Sequence, residues 1–293
     1  MFARVVEAKS FTAAANSLGV SKSIVSKRIT LLERRLGARL LQRSTRRLSL
    51  TPEGASLHER CAALLRAADE LPGLVRGDDG ALRGVLRVTC PNTFSDLYLG
   101  DVMADFVKRH PQLQVELSVT NTLVDLVGER VDLAIRIARK LQSSSLVARK
   151  LGSARRLVCA APAYLAKHGT PSHPDDLRSH ACLRFSAVPD SVDWQFLTGK
   201  NRILPPVSGP LAADSIEALR CAALTGAGIL ILPIYCAAAD LAAGRLVTIL
   251  DDYELEPLGI YAVYSKGKVV PAKVRKLVEH LAARLDPPPW EPI

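Results

Sequence analysis

The sequence has few aromatic residues and no long apolar run. Phe, Trp and Tyr make up 5% of the 293 residues, so aliphatic side chains must form most of the core. The longest nearly unbroken apolar stretch, Ala227–Ala239, has 13 residues and contains a proline, whereas a membrane-spanning helix needs roughly 20. The residues after Met1 do not form a basic segment followed by an apolar one, so no secretory signal is predicted. We therefore expect a cytoplasmic protein with no membrane partner.

Sequence signatures of metal, cofactor and nucleophile sites are also missing. The six cysteines are dispersed with no C-x-x-C pair, which favours buried thiols over a zinc site or a disulfide framework. The chain has no G-x-S-x-G, H-E-x-x-H or P-loop motif. Its Gly226-Ala227-Gly228 precedes a predicted strand, whereas a dinucleotide fingerprint follows one. We expect a protein that is not an enzyme and has no cofactor or metal; a redox-active thiol is the alternative left open.

The net charge of +10 is concentrated in the first quarter of the chain. Residues 1–76 contain 14 Lys and Arg against 6 Asp and Glu, whereas residues 77–293 contain 25 against 23. Within Ser21–Arg47, nine basic residues accompany a single acid, Glu33. A solvated basic face would explain such a patch, but this density in a short folded segment favours a polyanion as partner. The charge alone thus indicates nucleic acid.

The same segment has the pattern of two short helices joined by a tight turn. Ser10 can cap a helix that runs to Leu18, and Gly19 can end it in a left-handed conformation. Ser21 is a second cap for a helix that Gly37 closes. The apolar residues that repeat at helical spacing along this second helix, and should face a core, are Val25, Ile29, Leu32 and Leu36.

The polar face of the second helix is the predicted reading surface. At helical spacing the residues roughly opposite the apolar stripe are Ser23, Lys27, Thr30 and Arg34, with Ser26 at the flank. Short hydroxyl side chains allow a helix to approach base edges closely, and lysines reach phosphates or guanine acceptors. This arrangement is typical of a helix-turn-helix domain whose second helix enters the major groove.

Two further elements are predicted after this helix. Leu40–Arg43 and Leu48–Thr51 can pair as a hairpin, or wing, whose basic residues would lie beside the DNA backbone or in the minor groove. Thr51-Pro52-Glu53 opens another helix, along which apolar residues repeat at spacings of three and four. That helix either packs on its own domain or forms a coiled-coil seam between two subunits; a dimer that reads a palindrome favours the seam.

The first quarter of the chain resembles the winged helix-turn-helix domain of the LysR-type transcriptional regulators. The similarity lies in the run SFTAAANSLGVSKSIVSKRITLLERRLGARLLQRSTRRLSLTPEG. It implies a DNA-binding domain over residues 1–54 and a dimerising linker helix over residues 55–76. By position it also implies that double-stranded promoter DNA contacts Ser21, Lys22, Ser23, Ser26, Lys27, Arg43, Thr45, Arg46 and Arg47.

Three features depart from the family pattern. Lys27 stands where the family usually has arginine, and because lysine lacks the planar fork for bidentate guanine contact we expect it to hold a phosphate. The chain opens at Met1-Phe2, about two turns later than the family's first helix; an earlier start and a shortened helix are both compatible with this. Pro72 is expected to kink or end the linker helix near Leu71.

The remaining three quarters alternate apolar runs with amphipathic segments after a polar, Gly-rich break at residues 77–80. Strands are predicted at Val85–Cys90, Gln114–Val119, Asp132–Ile137 and Arg156–Ala160, with helices at Ser95–His110 and Thr122–Glu129. A second series of helices and strands runs from Ser215 to Leu285. The pattern predicts two α/β halves with mostly parallel sheets and a cleft between them.

Three short motifs of this region are also similar to the LysR family and follow its order: Asp132–Arg136 (DLAIR), Ala161–Leu165 (APAYL) and Gly226–Pro233 (GAGILILP). The resemblance implies the fold of periplasmic binding proteins, with an effector-binding domain over residues 85–293 after a hinge at residues 77–84. Subdomain I is expected at residues 85–160 and 265–293, and subdomain II at residues 161–264.

The predicted effector site lies beyond the carboxyl ends of the strands. Ligands of open α/β sheets bind there, and helix N-termini with hydroxyl side chains attract a carboxylate or a similar anion. Members of the LysR family bind their effectors with the same loops. The candidates, each of which could also be a plain cap or core contact, are Thr93, Phe94, Asn121, Thr122, Arg136, Asp214 and Ser215.

The sequence therefore predicts a LysR-type regulator whose promoter binding or activation responds to a small organic effector. The resemblance implies a dimer or a dimer of dimers (a homotetramer), with RNA polymerase as a partner if the protein activates transcription. Two other classes stay open. A solute-binding protein of the same fold would need an export signal and would leave the basic first quarter unexplained. An architectural DNA-binding protein would leave the cleft without a role.

Overall fold

A computed structural model describes most of the chain. The described residues are 1–43, 48–58, 60–61, 64–65, 81–122, 124–126, 128–141, 146–189, 193–199, 201–266 and 270–290, with the backbone alone for Arg43. Three of the predicted DNA contacts, Thr45, Arg46 and Arg47, lie outside these residues, as do Pro72 and the first four residues, 77–80, of the predicted hinge. No helix in the described part of the chain is long and apolar enough to span a membrane.

The N-terminal domain contains the predicted helix-turn-helix and wing strands. Its described elements are α1 (Phe2–Glu7), α2 (Phe11–Ser17), α3 (Lys22–Leu36), β1 (Leu41–Arg43) and β2 (Leu48–Leu50). Both predicted caps are present: Ser10 Oγ accepts the Ala13 N–H at 3.3 Å, and Ser21 Oγ accepts the Ile24 N–H at 3.4 Å. Gly37 ends α3 at φ 64°, a left-handed conformation that glycine adopts without steric cost.

The core of this domain uses less of α3 than the sequence predicts. Val25 and Ile29 are buried and Leu32 is half-buried, but Leu36 is 50% exposed. The prediction for Leu36 is wrong because the described elements do not cover the last turn of α3. The linker helix begins with Pro52 at its first position and is helical at residues 52–58, 60–61 and 64–65. Its early residue Leu57 packs on the domain core.

The first half of the predicted effector-binding region is a five-stranded sheet. Its strands are β3 (Gly84–Cys90), β4 (Leu113–Val119), β5 (Leu133–Ala138), β6 (Leu146–Ala154) and β15 (Leu258–Ser265). Their order in the sheet is β4-β3-β5-β15-β6. A helical run packs against it, with one turn at Asn92–Phe94, a π-helical turn at Ser95–Leu99 and α4 (Gly100–Arg109). The C-terminal helix α8 (Ala272–Arg284) returns to this half, where Leu277 and Leu281 are buried in the same core.

The second half has its own five-stranded sheet in the order β11-β8-β12-β7-β13. The strands are β7 (Arg156–Ala160), β8 (Cys182–Phe185), β11 (Ala212–Ala213), β12 (Ile229–Pro233) and β13 (Val247–Ile249), and the helices are α5 (Pro162–His168), α6 (Ile216–Leu224) and α7 (Ile234–Ala242). A small sheet combines β9 (Phe196–Thr198), β10 (Asn201–Ile203) and β14 (Glu254–Leu255). The predicted architecture of two α/β halves is confirmed.

The details of the two halves correct the sequence prediction in four places. Among the described strands, two of the four neighbouring pairs in each large sheet are parallel, so the sheets are mixed rather than mostly parallel. Strand β7 pairs in the second sheet and β15 in the first, whereas the predicted bounds put residues 156–160 in subdomain I and residues 258–264 in subdomain II. Strand β6 was not predicted. The helix predicted at Thr122–Glu129 is absent from the described residues there, which form turns and irregular backbone.

Four of the six thiols are buried. They are Cys90, Cys159, Cys182 and Cys236, whereas Cys61 is half-buried and Cys221 is exposed. Burial raises the pKa of Cys159 and of Cys236 to about 12. These two thiols are therefore protonated at neutral pH and are poor nucleophiles, which argues against a redox role for them.

Candidate functional site

The exposed face of α3 is the first candidate site. Ser23 and Lys27 are exposed, whereas Val25 and Ile29 on the opposite side of the helix are buried; Lys22 is exposed in the first turn. The Ser21 cap fixes the start of the helix, and its Oγ lies 2.8 Å from Ser23 Oγ, so these hydroxyls form one small polar group at the N-terminus. Ser26, another predicted contact, is half-buried at the flank. The cap fixes where the helix starts and the apolar stripe fixes which side is buried, so together they determine which side chains of α3 face the solvent.

The single acid of the basic segment, Glu33, points toward the wing. Its Oε1 accepts the backbone N–H groups of Leu40 and Leu41 at 2.9 and 3.2 Å. The carboxylate therefore braces the connection between α3 and β1. This leaves positive charge and hydroxyls on the exposed face of α3. The strands that flank the predicted wing residues pair antiparallel, with Arg43 opposite Leu48.

The second candidate site lies where the two halves of the effector-binding region meet. Asn121, in the loop after β4, links three loops through its side-chain amide. Its Oδ1 accepts the Asn92 N–H at 3.2 Å, and its Nδ2 donates to the Asp214 carbonyl of the second half at 3.1 Å. Asn121 and Asp214 are both exposed. The side chain of Asn121 thus joins the two halves and is open to solvent.

Arg136 provides the positive charge of this region. Its Nη1 donates to the Thr122 carbonyl at 3.3 Å and its Nη2 to the Val124 carbonyl at 3.1 Å. Burial lowers the pKa of the Arg136 guanidinium, which nevertheless stays protonated at neutral pH as arginine does in proteins. A carboxylate placed here would offset part of the cost of burying the cation.

Thr93 and Phe94 follow β3, and they differ in how much of the side chain is exposed. Thr93 is half-buried in the first turn of the helical run. Phe94 is 1% exposed and lies edge-on to Tyr235 and Trp290, with ring centroids 5.5 and 6.0 Å apart. The ring of Phe94 is therefore a core contact, and this placement argues against a direct contact with an effector.

Ser215 takes the role of a cap. Its Oγ accepts the Ala218 N–H at 3.2 Å and starts α6, directly after Asp214. Of the seven predicted effector residues, hydrogen bonds join two pairs, Asn121 with Asp214 and Arg136 with Thr122. Sequence reasoning missed the backbone of Asn92 and the hydroxyl of Thr120, which lies 2.9 Å from Thr122 Oγ1. Asn92 and Thr120 are sequence neighbours of the predicted residues Thr93 and Asn121, and this adjacency is the signal that could have identified them.

Two other features mark this end of the first sheet. The π-helical turn Ser95–Leu99 follows Thr93 directly, and such turns are frequent at functional sites. A cavity of about 280 Å³ opens on the polar face of β3 and β4; it is lined by Arg87, Val88, Thr89, Glu116, Ser118, Thr120, Thr122, Val124, Glu129 and Val131. Within the described residues, no cluster of three or more His, Cys, Asp or Glu side chains could hold a metal ion.

Family models match both parts of the chain. Residues 1–55 match the model described as a bacterial regulatory helix-turn-helix protein of the lysR family. Residues 79–286 match the model described as the LysR substrate binding domain. The two matches cover the basic domain with α3 and the two-halved region with the cleft.

Individual proteins match over nearly the full length. An HTH-type transcriptional regulator of Xanthomonas campestris pv. campestris is 36% identical over 290 residues, which is 98% of this chain and 84% of that protein. The regulator PtxR of Pseudomonas aeruginosa is 36% identical over 289 residues, or 99% and 92%. The solved structure of CrgA, a LysR-type transcriptional regulator from Neisseria meningitidis, superposes with a TM-score of 0.61 at 34% identity and covers 96% of each chain.

Proposed function

The chain belongs to the LysR family of transcriptional regulators, and on this basis we propose that it binds promoter DNA under the control of a small organic anion. The observation that carries the proposal is the exposed face of α3, where Ser23 and Lys27 lie opposite a buried stripe and Lys22 is exposed in the first turn. Such a face fits the major groove, with lysines on phosphates and hydroxyls near base edges. The predicted wing residues would add contacts to the adjacent backbone or minor groove.

Dimerisation through the linker helix is part of this proposal. Leu57 packs on the core of its own domain, but farther along the helix Leu64 is 71% exposed. A large apolar side chain at that exposure favours a seam with a second subunit. A dimer, or a dimer of dimers, would place two α3 helices on the half-sites of an interrupted palindrome.

The polar groups around Asn121 support a small carboxylate as the effector class. They combine the Arg136 cation, the Asn121 amide and the Thr122 hydroxyl at the ends of β4 and β5. An anion that interacts with both halves of the region would stabilise one cleft geometry over another. This change would alter the arrangement of the subunits on DNA and thereby the recruitment of RNA polymerase at an activated promoter. The protein would act in the cytoplasm and without catalytic turnover.

Selection from a random pool of duplexes tests the DNA-binding half of the proposal. The full-length protein should enrich an interrupted palindrome, which it then binds about 1,000-fold more tightly than a scrambled duplex at physiological salt. Fluorescence anisotropy with labelled duplexes measures both affinities. Equal affinity for the selected and the scrambled duplex would contradict the proposal.

Substitution of Thr93 by tryptophan tests the effector half. A screen of small carboxylates, beginning with benzoate and succinate, identifies compounds that raise the melting temperature of the wild-type protein. A ligand at 100 times its Kd adds about 2.7 kcal/mol to stability. Because the indole adds bulk at a half-buried position next to Asn92, whose N–H donates to Asn121, we expect the variant to lose this ligand-dependent shift while its affinity for the selected duplex stays within about twofold.

The matched control is Thr170→Trp, which adds the same bulk at an exposed position after α5. It should keep both the ligand-dependent shift and the affinity for DNA. A Thr93→Trp variant that responds to the ligand as the wild type does would show that the effector binds elsewhere.

A further inference from the structure

The segment between β4 and β5 joins the cleft to the DNA-binding domain. It runs from Asn121 to Val131 and contains no helix in its described residues. At one end Asn121 reaches the second half of the effector-binding region through the Asp214 carbonyl. At the other end Arg130 forms an ion pair with Glu7 of α1, in the DNA-binding domain. Only eight residues thus separate Asn121, which bonds to the second half, from Arg130, which contacts the DNA-binding domain.

The contact at Arg130 is well shielded from water. The Arg130 and Glu7 side chains are 15% and 17% exposed. His58 of the linker helix is buried beside them, with its ring 6.3 Å from that of Phe2. The charges of Glu7, Arg130 and Asp125 all act on His58, so four side chains from both domains share one electrostatic environment. An ion pair with so little exposure is screened weakly by salt, and loss of one partner leaves the other charge poorly solvated.

The backbone at Arg130 supports a specific role for this contact. Its φ is 54°, in the left-handed region that residues with a Cβ rarely adopt. A residue held in this conformation costs free energy that the surrounding contacts must offset. Two hydrogen bonds define the turn, from the Glu129 N–H to the Asp125 carbonyl at 2.9 Å and from the Val131 N–H to the Leu126 carbonyl at 3.0 Å. They present the guanidinium to Glu7.

The cleft end of the segment is held by side chains of the candidate effector site. Arg136 donates to the carbonyls of Thr122 and Val124, the groups that a helix would use for its own hydrogen bonds. Between its two ends, the segment lies over the 280 Å³ cavity, to which Thr122, Val124, Glu129 and Val131 contribute one wall. On its other side Leu126 and Val131 are buried with Ala134 and Val263, so the segment is packed against β5 and β15 there and borders open space toward the cavity.

We propose that the segment Asn121–Val131 directly couples the cleft to the DNA-binding domain within one chain. A ligand that competes for the Asn121 amide or the Arg136 guanidinium changes the hydrogen bonds that hold Thr122 and Val124. The change travels along the segment to Arg130 and alters its pairing with Glu7, so that α1 and the linker helix move relative to the effector-binding domain. Arg130 and Glu7 are positioning residues and touch neither DNA nor effector. The inference rests on the proposed function only for the identity of the ligands, namely DNA at the N-terminal domain and a small anion at the effector site.

Hydrogen–deuterium exchange of the full-length protein, without DNA or effector, tests the coupling. In Arg130→Gln we expect the amides of α1 (Phe2–Glu7) and of residues 121–131 to exchange roughly three- to tenfold faster than in the wild type. Glu7→Gln breaks the pair from the other side and should give the same pattern. The double variant should exchange no faster than either single variant, because both substitutions remove one interaction.

The decisive variant is Asn121→Ala, which lies at the cleft and away from the DNA-binding domain. It should accelerate exchange in α1 by about threefold or more, because the coupled segment loses its bond to Asp214. The matched control is Arg109→Gln, which removes an exposed ion pair with Asp105 in the same half and should leave α1 unchanged. Unchanged exchange in α1 for Asn121→Ala, or equal acceleration by the control, would overturn the coupling. These outcomes do not depend on whether the protein binds an operator.

Discussion

Replacement of Lys27 by glutamate is expected to weaken binding to the selected duplex by about 30- to 100-fold at physiological salt. Lys27 lies on the exposed face of α3, directly opposite the buried Val25 and Ile29. The substitution removes one phosphate contact and puts a carboxylate against the DNA backbone. Because counterion release accompanies each phosphate contact, the slope of log affinity against log salt concentration should also fall by about 1.

Fluorescence anisotropy at several salt concentrations measures both effects. The control is Lys167→Glu on α5, which makes the same change in net charge at an exposed position of the effector-binding domain. It should alter affinity by less than about threefold, since only long-range attraction is lost. Equal losses for the two variants would indicate that net charge, rather than the face of α3, governs binding.

Replacement of Gly228 by alanine is expected to lower the free energy of unfolding by about 2–4 kcal/mol. A Cβ at this position would overlap the backbone carbonyl oxygen of Ala181 and come within 3.1 Å of its carbonyl carbon. That carbonyl also accepts the Ile229 N–H at 2.8 Å where β12 pairs with β8. The methyl group can be accommodated only if two neighbouring strands of the second sheet separate, and backbone moves less easily than a side chain.

Urea unfolding followed by circular dichroism measures this loss. Gly100→Ala is the matched control, because Gly100 has helical dihedral angles at the start of α4 and the nearest atom to its added Cβ is the Ser95 carbonyl oxygen at 3.7 Å. Alanine should leave stability unchanged there or raise it by up to about 1 kcal/mol. Similar free energies of unfolding for Gly228→Ala and the wild type would mean that β8 and β12 can separate at little energetic cost, which would contradict this prediction.

The parts of the fold that follow from the sequence are those that local chemistry decides. Ser10, Ser21 and Gly37 act as caps within three or four residues of their partners, so their roles can be predicted from short patterns. The family motifs at Asp132–Arg136 and Gly226–Pro233 likewise fall on β5 and β12. The order of elements and the class of the fold could therefore be predicted with no structure at hand.

The parts that could not be predicted depend on contacts between distant residues. The helix expected at Thr122–Glu129 is replaced by turns because Arg136 binds the carbonyls of Thr122 and Val124 from outside the segment. Strand β6 has no regular alternation of buried and exposed residues, and its pairing with β15 joins distant parts of the chain. The ion pair of Glu7 with Arg130 could not be predicted either, because the two residues are far apart in the sequence and no local pattern indicates that they pair.

The candidate effector site was predictable as a set of loops but not as a set of contacts. The rule that ligands bind beyond the carboxyl ends of strands selects the loops of Thr93, Asn121 and Asp214. It does not distinguish an aromatic ring that enters the core, such as Phe94, from a side chain that stays accessible. That distinction depends on Tyr235 and Trp290, which come from other parts of the sequence.

The position of Trp290 also makes it an intrinsic fluorescence probe of the region around Thr93. The chain has two tryptophans, and both are buried. Trp290 packs against Phe94 beside Thr93 and donates its indole N–H to the Ser153 carbonyl at 3.3 Å, whereas Trp194 lies in the core of the second half. With Trp194 replaced by phenylalanine, the emission spectrum would originate from a single tryptophan that packs against Phe94, in the first turn of the helical run. Ligand titrations could then be followed on the unlabelled protein, in the presence or absence of DNA.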